Sequence, residues 1–406
     1  MSKEVTPLDL TRAGRDVSVT ERSSFRTCRR RWGLETIDNW VPKSPAFALE
    51  FGTGIHTALE SYYASKGDLT SALDAFTEWH DEFDAKIADE LGGLYTEDTS
   101  RDVWDLRLMG LAMLELYPKY ESMTKVTWTD VRAIEGNGME QFDNKRPKGY
   151  PKEADVIVHE SGRCMVPLVH PTSKQVLVNT SGEPIYLTAR IDMLVDRATP
   201  YKGLWVVDHK TSASAPNDRG LDFDEQPTGY CYVVWRLTGK MPRGVIFNYL
   251  IKNTPKEPRW VQGNSKNGPH NSEGKALSTA KDQLTTPDMY REALKDLGLY
   301  KKGKVSSEAH AECLEGLLAK GWDPFFQRYE PRRNQDELLA YEAQAFTQYS
   351  DMEEAVLVEE MRYPNKSTWW CPSCSVKEIC QAMDDGGDPE GIIEQSFMQG
   401  EDRKAA

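Results

Sequence analysis

Residues 187–212, LTARIDMLVDRATPYKGLWVVDHKTS, are two apolar runs on either side of a Pro/Gly turn signal. Leu187–Val195 is rich in β-branched and apolar residues, 198–203 carries Pro200 and Gly203, and Leu204–His209 supplies the second run. A chain that folds back about Pro200 sets Asp192 opposite Asp208. Period-two alternation then puts Asp208 and Lys210 on one face, and any even shift of register leaves them there. Two carboxylates beside an ammonium suit a hard divalent cation. In a dry core the same charges would be heavily penalised.

At 406 residues the chain has room for one large domain or for two to three of ordinary size. A hydrophobic content of 39%, with 11 Trp, 17 Tyr and 12 Phe, is ample for a buried core. No run of about 18 apolar residues occurs, so no membrane span is expected. The opening stretch MSKEVTPLDLTRAG lacks the apolar centre of a secretion signal. A cytoplasmic protein is the expectation. The net charge of −14 argues against a broadly basic surface, although a confined basic channel would still bind nucleic acid.

Seven cysteines without an export signal point away from disulfides. Cys164, Cys231 and Cys313 are isolated and read as small core residues. Cys371, Cys374 and Cys380 stand in Cys-x2-Cys-x5-Cys spacing, which reads as a metal or cluster site, zinc being one option. No nearby His or fourth downstream Cys completes the set. The remaining ligand must come from far away, and Cys28 is the choice. That pairing would join the two ends of the chain.

Residues 18–40 read as a helix opened by a Ser/Thr cap. Arg29, Arg30 and Arg31 follow Cys28, as a solvated basic face or as phosphate-binding groups beside a cysteine ligand. In a second helix over 46–65, Phe51, Ile55, Leu59, Tyr62 and Tyr63 recur at helical spacing, with His56 beside the stripe. A lone helical His is more often structural than a ligand. Residues 69–123 are helical throughout and should cover one side of a sheet. Val126–Phe142 returns to β-type alternation, with Glu135 either a site acid or a solvated turn residue. Asp155–Val178 reads as strands of a long hairpin. After the paired acids, 211–225 suits a mobile loop at the mouth of a site. Gln226–Leu237 is a helix with Pro227 in its first turn, and it sets Gln226 and Tyr230 on one face. Arg243–Lys252 is a strand. Residues 254–274 are loop-like and basic (Lys256, Arg259 and Lys266, with Lys275 just beyond), and read as disordered or ordered by DNA. Helices are expected near 286–297 and 306–319, and a long amphipathic one over Gln335–Glu359.

In this order the residues resemble the PD-(D/E)XK nuclease superfamily. Within it they resemble RecB-type exonucleases with an iron–sulfur cluster, such as the AddB nuclease domain and the CRISPR-associated adaptation exonucleases. The resemblance runs through SFRTCRRRW at Ser24–Trp32, GTGIH at Gly52–His56, Arg190–Asp192, VDHKT at Val207–Thr211, QPTGY at Gln226–Tyr230 and the three C-terminal cysteines. It implies a restriction-endonuclease-like α/β fold, a central mixed sheet flanked by helices, in one domain over 1–406. Residues 69–123 would be a helical elaboration, 255–330 an insertion and 360–384 a cysteine segment joined to Cys28.

The resemblance also implies roles. His56, Asp192, Asp208 and the backbone carbonyl of His209 would hold Mg²⁺ or Mn²⁺. Lys210 would orient or deprotonate the attacking water. Gln226 and Tyr230 would line the DNA path, and Cys28, Cys371, Cys374 and Cys380 would bind a 4Fe–4S cluster. The implied activity is metal-dependent exonucleolytic hydrolysis of DNA in replication, recombination or repair, and a stand-alone, phage-encoded enzyme fits the architecture. A non-catalytic DNA-binding or recruitment protein on the same fold is the rival. No GxxxxGK[ST] motif occurs, so a helicase or recombination motor would be a partner. Two features depart from the family pattern. Its glycine before the metal-binding Asp is replaced around Ala189 and Arg190. In the expected register Arg190 would also face Lys210, an unfavourable like-charge pair.

Overall fold

The computed structural model describes residues 15–400 except 44–46, 92–94, 124–126, 135–137, 140–149, 153–154, 160–161, 180, 217 and 264–268. Glu135 and Lys266 therefore lie outside the described residues. The chain opens with β1 (Val17–Ser18) and α1 (Val19–Thr27), whose cap Ser18 accepts from the Glu21 N–H at 2.9 Å. The single helix expected over 18–40 is broken at Cys28, which is extended (φ −160°, ψ 112°). Helix resumes as α2 (Arg29–Trp32) and a π-helical turn at Gly33–Ile37. Tertiary bonds win over helix continuation here. The Arg30 N–H donates to Tyr363 O at 3.2 Å, and the Asn365 N–H to Cys28 Sγ at 3.4 Å.

After β2 (Trp40–Pro42) come α3 (Phe47–Ala64), α4 (Leu69–Leu91) and α5 (Glu97–Met123). The strands β3 (Thr127–Ile134), β4 (Ile157–Val158), β5 (Cys164–Pro167) and β6 (Tyr186–Ala189) follow. Next are β7 (Met193–Thr199), β8 (Gly203–Ser212), α6 (Asp218–Leu221), α7 (Glu225–Thr238) and β9 (Val245–Ile251). The segment expected to be unstructured at 254–274 contributes β10 (Trp260–Gln262), which pairs antiparallel with β11 (Lys275–Leu277). α8 (Pro287–Asp296), the hairpin β12 (Tyr300–Lys301) and β13 (Lys304–Val305), and α9 (Glu308–Lys320) then build a satellite core around Tyr290, Leu294 and Leu314. The chain ends with β14 (Phe326–Tyr329), α10 (Gln335–Leu357), α11 (Lys377–Asp385), α12 (Pro389–Ser396) and β15 (Phe397–Gln399), which pairs with β2.

The central sheet has the order β14-β9-β8-β7-β3. It is mixed: β7 and β8 are antiparallel, in the register Met193↔Val207 to Arg197↔Gly203, whereas β8 and β9 are parallel and joined through α7. The expected fold-back about Pro200 is thus present. Both faces are covered, which explains why these strands read as near-continuous apolar runs. Leu194, Val206 and Phe247 face α7 and α10. Met193, Val195, Val207 and Ile246 face the other way, toward Tyr63 of α3. Along the same sheet Leu250 and Phe326 meet α3, α4 and α5. α7 is wedged between α1 and α10, and only a glycine fits at 229. A Cβ there would stand 2.5 Å from Val19 Cγ1 and 2.6 Å from the Tyr341 hydroxyl.

The run Leu187–Val195 is not one strand. β6 belongs to a four-stranded sheet of order β1-β6-β5-β4, pairing with β1 and β5, and β7 belongs to the central sheet. The chain crosses between the sheets at 190–192, with Ile191 buried and Arg190 exposed. Pairing with β8 ends at Met193↔Val207, so Arg190 does not face Lys210 and the like-charge pair does not form. Among the described residues no helix is long and apolar enough to cross a membrane.

Candidate active site

The alternation of β8 sends Asp208 and Lys210 toward α7 and His209 toward α3 and α5. Asp208 is 2% exposed. Its Oδ2 lies 2.7 Å from Lys210 Nζ and has no further hydrogen-bond partner among the described residues. Burial works against the Lys210 ammonium, but Asp208, by charge and hydrogen bond, and Asp192 more than offset it and raise its pKa.

Asp192 stands in the bend between the two sheets. Its Oδ2 accepts from the backbone N–H of His209 at 2.7 Å, and His56 Nδ1 lies 3.3 Å from the same oxygen. α3 carries His56 in because Gly52, one turn earlier on the same face, lets the helix approach the end of β8. A Cβ at Gly52 would already be 3.3 Å from Thr211 Oγ1.

A model of the PD-(D/E)XK nuclease superfamily matches residues 16–381. The chain belongs to that superfamily. Its members are generally metal-dependent nucleases that typically use Mg²⁺ or Mn²⁺, built on the mixed α/β fold described above. No curated protein matches the chain significantly.

The superfamily's metal has donors of suitable chemistry here: two carboxylates, one with an otherwise unpartnered buried oxygen, and a neighbouring imidazole. Among the described residues, however, no group of three or more His, Cys, Asp or Glu side chains forms a ready-made metal cage.

Gln226 and Tyr230 meet on α7, where Gln226 Nε2 donates to the Tyr230 hydroxyl at 2.9 Å. Burial, then Asp208 and Asp192, push the Tyr230 pKa well up, so its proton is held firmly. Asp208 and Asp192 thus both act on one hydroxyl.

The His209 ring does not turn toward the acids. It stacks on Tyr63 (centroids 5.8 Å apart, planes at 20°), and its Nδ1 is 3.0 Å from Asn248 Nδ2. Burial, then His56, Arg328 and Lys210, hold its pKa well below the ordinary value, so the ring is neutral and accepts at Nδ1.

Sequence reading missed Asn248. It is fully buried, donates to the Tyr117 hydroxyl at 2.8 Å as well as to His209, and accepts from Arg328 Nε at 3.1 Å. Arg328 in turn pairs with Glu121, which accepts from Tyr117 at 3.1 Å. The signal was one amide inside the apolar strand VIFNYLI. Tyr249, its neighbour, was missed as well. It pairs in register with Lys210, and its pKa is pushed up to about 12, chiefly by burial.

Cys28, Cys371, Cys374 and Cys380 line one recess of about 640 Å³. Backbone N–H groups point at two of the sulfurs, Asn365 at Cys28 (3.4 Å) and Ser367 at Cys371 (3.3 Å), and Arg30 lies 3.6 Å from Cys380 Sγ. Arg29, Arg30 and Arg31, read as a solvated basic face or as phosphate-binding groups, have carboxylate partners: Arg29 with Asp351 (3.4 Å), Arg30 with Asp384 (2.6 Å) and Arg31 with Glu35 (2.9 Å). The extended Cys28 turns the helix that carries them toward the C-terminal segment, so Arg30 meets Asp384, whereas Arg31 pairs locally with Glu35.

Proposed function

We propose that this chain is a divalent-metal-dependent DNA exonuclease. One observation supports the reading above all others: Asp208 pairs with Lys210 at 2.7 Å, and the N–H of the residue between them holds Asp192 at 2.7 Å. Asp192 and Asp208, with His56 and the His209 carbonyl, would hold Mg²⁺ or Mn²⁺. A cation so held lowers the pKa of a bound water and polarises a P–O bond.

Lys210, kept charged by the two acids, orients the attacking water and offsets negative charge growing at the phosphate. Deprotonating it would work against both carboxylates, so its part is that of a donor rather than a base. The Tyr230 oxygen already accepts from Gln226, which leaves its proton for a phosphate oxygen of the DNA. The neutral His209 fixes Asp192 through its backbone N–H and does not itself exchange protons.

Cys28, Cys371, Cys374 and Cys380 are proposed as ligands of a 4Fe–4S cluster. The shared recess and the donors directed at three of the sulfurs support this, since such hydrogen bonds stabilise thiolate charge. We further propose one nuclease domain over the whole chain, elaborated at 69–123 and 255–330, acting in DNA replication, recombination or repair, alone or with a borrowed motor.

The test is digestion of end-labelled single- and double-stranded DNA by protein purified without oxygen. Progressive loss of label with Mg²⁺ or Mn²⁺, and none with EDTA, is the expected result. DNA that is bound yet intact under every condition would replace the enzyme with a recruitment protein.

A further inference from the structure

The segment between the catalytic strand β8 and α7 presents a bare aromatic ring on a fixed backbone. Phe223 is 88% exposed, although burying such a side chain stabilises a fold. The main chain on either side of it is tied down. The Phe223 N–H donates to Gly220 O at 3.1 Å, and the Asp224 N–H to Leu221 O at 3.3 Å. The buried Arg333 donates to Asp222 O at 3.4 Å and to Asp224 O at 3.0 Å, bracketing Phe223, while its Nε holds Thr228 Oγ1 at 2.7 Å. Asp224 also caps α7, accepting from the Gln226 N–H at 2.9 Å.

This mount adjoins the site: Asp224 caps the helix whose opening turns carry Gln226 and Tyr230, and those two side chains hydrogen-bond to each other at 2.9 Å. The flanking Asp222 and Asp224 repel phosphate, so the ring offers no grip on a DNA backbone. What it offers is a flat apolar face, which suits the π-face of any base. Bases inside a duplex already stack on one another, whereas an unpaired base leaves a face free for the ring.

We propose that Phe223 is a base-stacking residue that holds one unpaired nucleotide at the entrance to the Asp192–Asp208 site. The inference rests on the nuclease reading above and deepens it by naming the substrate as DNA with a single-stranded end.

The experiment measures kcat/KM of the full chain on single-stranded oligonucleotides, intact or lacking one base at successive positions from the end. Phe223→Ala lowers kcat/KM about tenfold on the intact strand, and Phe223→Trp restores it. In the wild type, one abasic position produces the same loss, and on that strand Phe223→Ala costs nothing further. The slope of log kcat/KM against log salt stays unchanged, because no phosphate contact is removed. Equal kcat/KM for wild type and Phe223→Ala on the intact strand overturns the proposal, as does an undiminished loss on every abasic strand. Either result leaves the nuclease reading standing. A wild type that degrades no DNA removes that reading and this proposal together.

Discussion

The backbone N–H of His209 donates to Asp192 Oδ2 across 2.7 Å. The residue between Asp208 and Lys210 therefore also positions the other acid, and one strand sets the spacing of all three groups. Asp192→Asn keeps an acceptor for that N–H and removes the charge. The expected outcome is a fold with an unchanged melting temperature and metal-dependent DNA hydrolysis reduced by about a hundredfold or more. Near wild-type rates in Asp192→Asn would disprove the assignment.

Lys210 matters to stability as well as to chemistry, because Asp208 is buried beside it. Lys210→Met leaves that carboxylate uncompensated and should cost about 1–3 kcal/mol. Adding Asp208→Asn to Lys210→Met should recover most of the stability and none of the activity. Urea titrations of the single and double variants measure this. A double variant less stable than Lys210→Met would contradict it.

Much of the site was legible in the sequence because strand periodicity is local. Once Pro200 marks a fold-back, Asp208 and Lys210 share a face and Asp192 follows next in register opposite Asp208. The break at 190–192 was not legible, because it depends on β6 pairing with β1 and β5 in a second sheet, and those partners are distant in sequence. Cys28 is a similar case: its extended backbone is set by bonds to residues 363–365. The carboxylate partners of Arg29 and Arg30, Asp351 and Asp384, are equally remote. Asn248 could have been found, since an amide in an apolar strand must meet a partner, but its three partners come from three separate elements.

Asn248→Ala removes a bridge to His209, Tyr117 and Arg328 at once. Unfolding in urea should show a loss of about 1–3 kcal/mol. DNA hydrolysis should fall about tenfold as the His209 segment loosens, an effect of the size that support groups behind metal ligands exert. Unaltered kinetics in a folded Asn248→Ala would show that the network serves stability alone.

The neutral, buried His209 makes the fold sensitive to acid. Its folded pKa lies below the ordinary 6.5, by burial and then by His56, Arg328 and Lys210, and burial depresses His310 in the same sense. Below about pH 6.5 the unfolded chain binds more protons than the folded one, so the stabilisation is complete above that pH and is lost as pH falls through it. Melting temperature should decline between about pH 7 and pH 5.5, and His209→Gln should flatten that decline. An unchanged slope in the variant would rule out this origin.

Protein purified without oxygen should be brown and should contain iron and acid-labile sulfide in equal amounts. Cys28→Ser should lose the colour and melt at a lower temperature, because the long loop between the chain ends is no longer closed. A colourless wild type containing zinc would reassign the recess to a different metal.

The crossing at 190–192 leaves Asp192 belonging to neither sheet. On one side it continues into β7, and on the other into β6, which is laced to β1 and so to the helix that delivers Cys28. Reach from the cysteine recess to the carboxylate is thus a matter of a few directly joined segments. Loosening at the termini would therefore bear on one acid through β6 while the other stays in the central sheet.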